Sequence, residues 1–261
     1  MKAFSDHSRW RHGMTWVGAR VQIRPIMRCP VGNFDLEDEV SRTANSLLDG
    51  KSHIKLLEAG CGSATHFKFD ASVYAVGVDI SQEELDKNTV VHEKIRGDIQ
   101  KCALPEQEFD IVICWMVLEH LPNPKEALQN LFRAVKPQGL LILGFPNLPS
   151  IKGLVTKLTP FWFHEMFYRY MKYSSRHFPT YLRLAILPRR VAQFATENCF
   201  SVEFNKLIEG AVTKTVRRRF RSIDLAFAAL DSLTRLMSLG KLQSPLLDNC
   251  AMILRKRPEG C

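Results

Sequence analysis

Three acidic residues stand at or near the ends of short apolar runs in the first half of this chain. Glu58 follows Ile54-Lys-Leu-Leu, Asp79 follows Val76-Gly-Val, and Asp98 follows Gly97 after a further run. Directly after Glu58 the chain reads Ala59-Gly60-Cys61-Gly62-Ser63. Glycine lacks a Cβ and reaches backbone angles closed to other residues, so this pair suits a sharp turn where a nucleotide-like ligand approaches the backbone. A lone Gly-x-Gly is weak, because strand ends also carry glycines for packing. Its weight comes from order. After the turn come Gly77-Val-Asp79-Ile80-Ser81, then Gly97-Asp98-Ile99, then Phe109-Asp-Ile-Val-Ile-Cys114-Trp115.

Holding these residues together requires strands that end at one side. Apolar spacing predicts a helix over 36–49, with Leu36, Val40, Ala44, Leu47 and Leu48 on its inner face, and strands at 54–59, 73–79, 90–95 and 109–115. A short helix is expected after the first strand, another at 81–88, and a third at 124–135 that Pro137 and Gly139 end. A fifth strand spans 140–145. Alternation of this kind gives an α/β fold, a mostly parallel sheet with helices on both faces. Ligands of such sheets bind beyond the carboxyl ends of the strands, where strand order reverses, and the three carboxylates fall there. A dinucleotide fold is the nearest rival, but Thr65 stands where Gly-x-Gly-x-x-Gly needs its third glycine.

The stretch 56–146 resembles the class I S-adenosylmethionine-dependent methyltransferases. Leu57-Glu58-Ala-Gly60-Cys-Gly62-Ser is similar to the family's first motif and Gly77-Val-Asp79-Ile-Ser81 to its second. The run from Phe109 through Leu118-Glu119-His120-Leu121, followed by Lys136-Pro137-Gln-Gly139, is similar to the segment that closes the cofactor site in small-molecule members, the branch that includes quinone methyltransferases. The resemblance implies a Rossmann-like seven-stranded sheet closed by an antiparallel pair at 201–208 and 250–256. It also implies S-adenosylmethionine as cofactor. Glu58, Ala59, Gly60, Cys61 and Gly62 would meet the methionine tail, partly through N–H groups at the turn. Asp79 would clasp the ribose hydroxyls beside Ile80, Asp98 would reach the adenine amino group with Ile99 against the ring, and Cys114 and Trp115 would line the reactive end. The lesser, competing readings are a helix N-cap for Asp79 and a plain turn for Asp98.

Methyl transfer demands little of the protein beyond an in-line acceptor, and a general base only for a weakly acidic hydroxyl. His120, His164 and His177 are the candidates, each also readable as a packed histidine. Nothing implies a metal: the seven cysteines include no Cys-x-x-Cys and read as free thiols in a reducing compartment.

Residues 1–33 read as an N-terminal arm and 34–261 as one methyltransferase domain with two inserts. The first, 147–189, is rich in Phe, Tyr and Trp and reads as a lid over the acceptor. The second, 211–242, is basic and amphipathic, with Ile223, Ala226, Phe227, Leu230, Leu233 and Met237 in one helical stripe. The formal net charge of +9 is concentrated outside the core, which admits an anionic membrane, an acidic substrate or a nucleic acid as partner. Against nucleic acid, Cys114-Trp-Met-Val replaces the Asn/Asp-Pro-Pro-aromatic signature of base-amine methylation after the fourth strand. With no secretory signal and no bilayer-length apolar run, the chain reads as cytoplasmic, with peripheral membrane contact as one use of its positive surface. The expected function is O-methylation of a hydroxyl, phenol or carboxylate on a hydrophobic small molecule. A membrane-resident quinone-like or lipid-like acceptor is the alternative, RNA a lesser one, and a cofactor-binding regulator or scaffold the non-enzyme reading.

Overall fold

The computed structural model of the chain describes residues 34–48, 50–65, 67–170, 179–181, 183–239 and 243–258. The N-terminal arm and His177 lie outside the described residues, as does the side chain of His164.

Helix α1 (Phe34–Leu47) buries Leu36, Val40, Ala44 and Leu48, the 3.6-residue stripe of the sequence, against one face of the sheet. Seven strands follow: β1 (His53–Ala59), β2 (Ser72–Asp79), β3 (Glu93–Arg96), β4 (Phe109–Trp115), β5 (Val135–Pro146), β6 (Phe200–Ile208) and β7 (Asn249–Lys256). They lie in the order β3-β2-β1-β4-β5-β7-β6. The first five pair in parallel, and β7 runs antiparallel to both neighbours. Residues of β4 are buried on both faces until Trp115, as a central parallel strand requires, whereas edge strand β3 alternates between half-buried and exposed. Order reverses between β1 and β4, and their carboxyl ends open the crevice where a ligand belongs.

Three expectations are corrected. No helix follows β1 among the described residues. Only twelve positions separate β1 from β2, the first are spent on the glycine turn, and Phe67 is drawn into the core beside Trp115. Strand β3 begins at Glu93 rather than at position 90, because Asn88 ends α2 (Gln82–Lys87) and its Oδ1 then accepts from the N–H groups of Val90 and Val91. Helix α3 (Pro124–Ala134) stops before Val135, which already pairs with Phe109 as the start of β5. The turn chemistry of Pro137-Gln138-Gly139 sits inside that strand as an irregularity: Gln138 has φ 64°, and a Cβ on Gly139 would come 3.0 Å from the Asp110 carbonyl.

The first insert forms α4 (Ile151–Leu158) and α5 (Phe161–Tyr170), and its end leads into α6 (Pro188–Glu197). The second forms α7 (Ala211–Arg219) and α8 (Arg221–Met237).

Candidate functional site

The crevice starts where β1 ends. Gly60 and Gly62 both take left-handed φ, 72° and 49°, for different reasons. A Cβ on Gly60 would lie 2.4 Å from Val117 Cγ2, so the turn must be bare for the segment after β4 to close upon it. A Cβ on Gly62 would meet nothing within 4 Å and would stand in open space. The N–H groups of Gly60 and Cys61 donate to the Val78 carbonyl at 2.7 and 3.2 Å, and Gly62 N–H donates to Asp79 Oδ2 at 2.8 Å. Asn88 Nδ2 donates to the Gly62 carbonyl at 3.0 Å. In this structure the N–H groups of Gly60, Cys61 and Gly62 donate within the protein and lock the turn onto β2.

Asp79 closes β2. Its Oδ1 accepts from Ser81 N–H at 2.8 Å, and the cap of α2 is Ser81, whose hydroxyl accepts from Glu84 N–H. With one backbone donor on each oxygen, the carboxylate keeps lone pairs for two hydroxyls. Next to it Ile80 is 66% exposed, an apolar side chain held open beside the carboxylate. Asp98 forms the plain turn that was the competing reading: Oδ1 accepts from both Gln100 N–H, at 3.0 Å, and Gln100 Nε2, at 2.9 Å. Its Oδ2 has no donor among the described residues.

Several candidates face inward. Glu58 and Ala59 are buried at the end of β1. Cys61 packs its sulfur towards Gly77, where a Cβ would come within 2.6 Å, and burial, reinforced by Glu58 and Asp79, pushes its thiol up to about 12. Cys114 is fully buried in β4, and burial raises its thiol well above the usual range. Ile99 also packs into the core. The side chains of Cys61, Cys114 and Ile99 are thus packed among protein atoms in this structure. Trp115 is half-buried, lies over Gly144 and takes the edge of Phe67 at 4.8 Å, so it forms a wall.

After β4 the chain turns hard. Met116 has φ 56°, costly for a non-glycine residue, and its N–H is held by the Gly144 carbonyl at 2.8 Å. That strain aims one helical turn, Leu118–His120, back over the glycine turn. His120 Nδ1 lies 2.9 Å from the Pro179 carbonyl. A carbonyl only accepts, so Nδ1 carries the proton and the neutral ring keeps its lone pair on Nε2. Burial lowers the His120 pKa below 6.5, partly offset by that hydrogen bond. Glu119 Oε1 stands 4.0 Å from Nε2. Burial raises the Glu119 carboxyl to about 7 against weaker pulls from its own N–H and from Lys152, and Oε2 has no hydrogen-bond partner among the described residues. The end of the first insert is fastened across this turn: Tyr181 N–H donates to the Glu119 carbonyl at 2.8 Å, and Arg183 Nε to the Pro122 carbonyl at 3.2 Å. His164 lies on α5.

Sequence reasoning missed Glu119 as a site residue, although a carboxylate inside Met116-Val-Leu-Glu119-His120-Leu121 was a visible signal. It also missed Asn88, for which a helix-ending asparagine gives none.

The sheet order, the reversed seventh strand and the turn-and-carboxylate crevice together define the class I methyltransferase architecture. The methyltransferase-domain family matches residues 34–186, more than half of the 261, and the chain belongs to it. The domain is thus an S-adenosylmethionine-dependent methyltransferase domain. Among curated relatives, a mitochondrial ubiquinone biosynthesis O-methyltransferase of Schizosaccharomyces pombe is 32% identical over 135 residues, 47% of each chain. A probable S-adenosylmethionine-dependent methyltransferase of Mycolicibacterium smegmatis is 30% identical over 122 residues, 42% of this chain and 46% of that one. The chain spans about half the length of the curated relatives it matches. Among solved structures, an S-adenosylmethionine-dependent methyltransferase from Mesorhizobium loti aligns with TM-score 0.50 at 15% identity, covering 86% of this chain and 100% of that one. The cyclase SpnF aligns with TM-score 0.53 at 14% identity, covering 86% and 81%. These two likenesses speak to the fold alone.

Proposed function

We propose that the protein transfers a methyl group from S-adenosylmethionine to an oxygen of a hydrophobic small molecule, a hydroxyl, phenol or carboxylate. Bound in the crevice, the cofactor supplies a methyl group already activated on a sulfonium. The residues present suit it. Asp79 has lone pairs for the ribose hydroxyls, Ile80 offers an apolar face beside them, and bare Gly62 leaves room above the turn. Glu58 supplies negative charge for the tail ammonium, and Asp98 Oδ2 suits the adenine amino group.

The observation that carries an oxygen acceptor is His120. Its tautomer is set by the Pro179 carbonyl and its burial keeps it neutral, so Nε2 can take a hydroxyl proton. Glu119 Oε1, 4.0 Å away, would stabilise the imidazolium that results. Pro179 and Tyr181, fastened to His120 and Glu119, would limit the access of water to this proton transfer. The Schizosaccharomyces pombe relative is itself an O-methyltransferase by name.

The test is labelled methyl transfer into a panel of apolar phenols, alcohols and acids, with His120→Ala alongside. Turnover of a phenol or alcohol should fall about 100-fold while cofactor affinity stays unchanged. Because the base must be neutral, kcat/KM should rise with pH through a value below 6.5 and then level off. Wild-type turnover in His120→Ala passes the role to His164 or His177, whose alanine variants belong in the same assay. Label found only on nitrogen would refute the oxygen reading.

A further inference from the structure

The two inserts are one body. Asp248, buried at the start of β7, accepts from Gly210 N–H and, at 2.8 Å, from the Thr213 hydroxyl of α7, and it pairs with Lys152 of α4 at 3.3 Å. The Arg219 guanidinium, at the end of α7, lies 5.9 Å over the Tyr170 ring at the end of α5.

Their outer surface is inverted in polarity. Of the 16 large hydrophobic residues exposed among those described, 14 lie within 147–189 and 211–242. The rest of the domain therefore closes normally, and the anomaly is local. Leu158, Trp162, Leu225, Leu236, Met237 and Leu239 are between 63% and 83% exposed. On α8 the helical stripe divides. Ile223 and Phe227 are half-buried, whereas Leu230, Leu233 and Met237 join Leu225 and Leu236 on the exposed side with Ser222, Ala226 and Ala229. Both acidic residues of α8, Asp224 and Asp231, fall on the half-buried side, and Asp224 is held by Arg217. Flanking this carbon surface, Lys157, Arg169, Lys214, Arg218, Arg219 and Arg221 are exposed.

We propose that this face, α4–α5 together with α8, seats the protein on an anionic lipid bilayer. Aliphatic side chains in a ring of cations match acyl chains beneath negatively charged headgroups, with Trp162 suited to the boundary between them. Nucleic acid would share the cations, but leucine and methionine offer its bases nothing to stack on. Among the described residues no helix is long and apolar enough to cross a membrane, so the face lies on the bilayer. Its first insert is also the one whose end is fastened over Glu119 and His120, so one insert contributes both to the face and to the rim of the crevice. Docking itself holds whichever atom takes the methyl group.

The test is flotation of the full chain with vesicles of phosphatidylcholine, with and without phosphatidylglycerol. The protein should float with the anionic vesicles at low salt and be released by high salt. Leu236→Asp with Met237→Asp should lower partitioning at least about 10-fold, and Arg218→Glu with Arg221→Glu about as much. All these positions are exposed, so thermal melting should not change. No flotation of the wild type at low salt would overturn the proposal, as would flotation that neither double variant reduces. A wild-type dimer that the Leu236/Met237 variant disperses, without vesicle binding, would assign the face to a second copy. Retention on RNA but not on vesicles would assign it to nucleic acid. Either result overturns the proposal too. Cofactor calorimetry on the same variants should be unchanged, so a failure of docking stays separate from a failure of the methyl-transfer reading.

Discussion

Glu119 is a carboxylate whose chemistry departs far from its ordinary state. Unfolded, it titrates near 4.5; folded, near 7, because the buried site disfavours its charge. Between these values the native state holds the extra proton, so stability is full below the lower value and declines as pH rises through the upper one. The shift corresponds to on the order of 3 kcal/mol once the group is ionised. Glu119→Gln should therefore melt above wild type at about pH 8, with the gap closing as pH falls towards 4.5. A gap that does not change with pH would mean the carboxylate is not held up by burial. This behaviour complements its neighbour, since His120 is kept neutral while Glu119 straddles ionisation. A proton arriving on the ring thus finds a counter-charge available.

At the scale of elements, the glycine turn is a hinge between packing and binding. Gly60→Ala must both hold φ near 72° and push Val117 away, so it should cost about 2–4 kcal/mol and displace the turn that carries Glu119 and His120. Gly62→Ala bears only the backbone strain, about 1 kcal/mol, but puts a methyl group where the ligand approaches. Melting and cofactor titration of the two should diverge: Gly60→Ala loses stability first, Gly62→Ala loses affinity with little change in melting. Equal losses in both would mean that the turn does not form the ligand site. This contrast was half legible beforehand. The positions of β1, β2 and β4 follow from apolar runs and are met to within a residue or two, whereas those of the β6–β7 pair came with the family resemblance. The start of β5 was not legible, because Pro137 and Gly139 signal a break and only pairing of Val135 with Phe109 shows that the break lies within a strand. The hydrogen bonds of the turn were not legible for a similar reason, since their acceptors, Val78 and Asp79, lie on a neighbouring strand.

For the whole molecule, the domain separates cofactor chemistry from the surface that carries its charge. The sheet and crevice match a widespread architecture, yet a cyclase shares that fold, so the fold by itself does not fix the reaction. Beside the crevice stands the pair of inserts tied by Asp248, with their apolar outer face and exposed basic residues. Sequence pattern exposed the aromatics and the basic run, but not the inversion on α8, because periodicity marks a stripe without saying which side meets solvent. The account rests on S-adenosylmethionine lying on the glycine turn with its ribose hydroxyls on Asp79. Isothermal titration of the folded protein with the demethylated cofactor tests this most directly. Saturable heat at one equivalent, weakened at least about 10-fold in Asp79→Ala, is the predicted result. No heat from well-folded protein, or equal affinity in the variant, would contradict it.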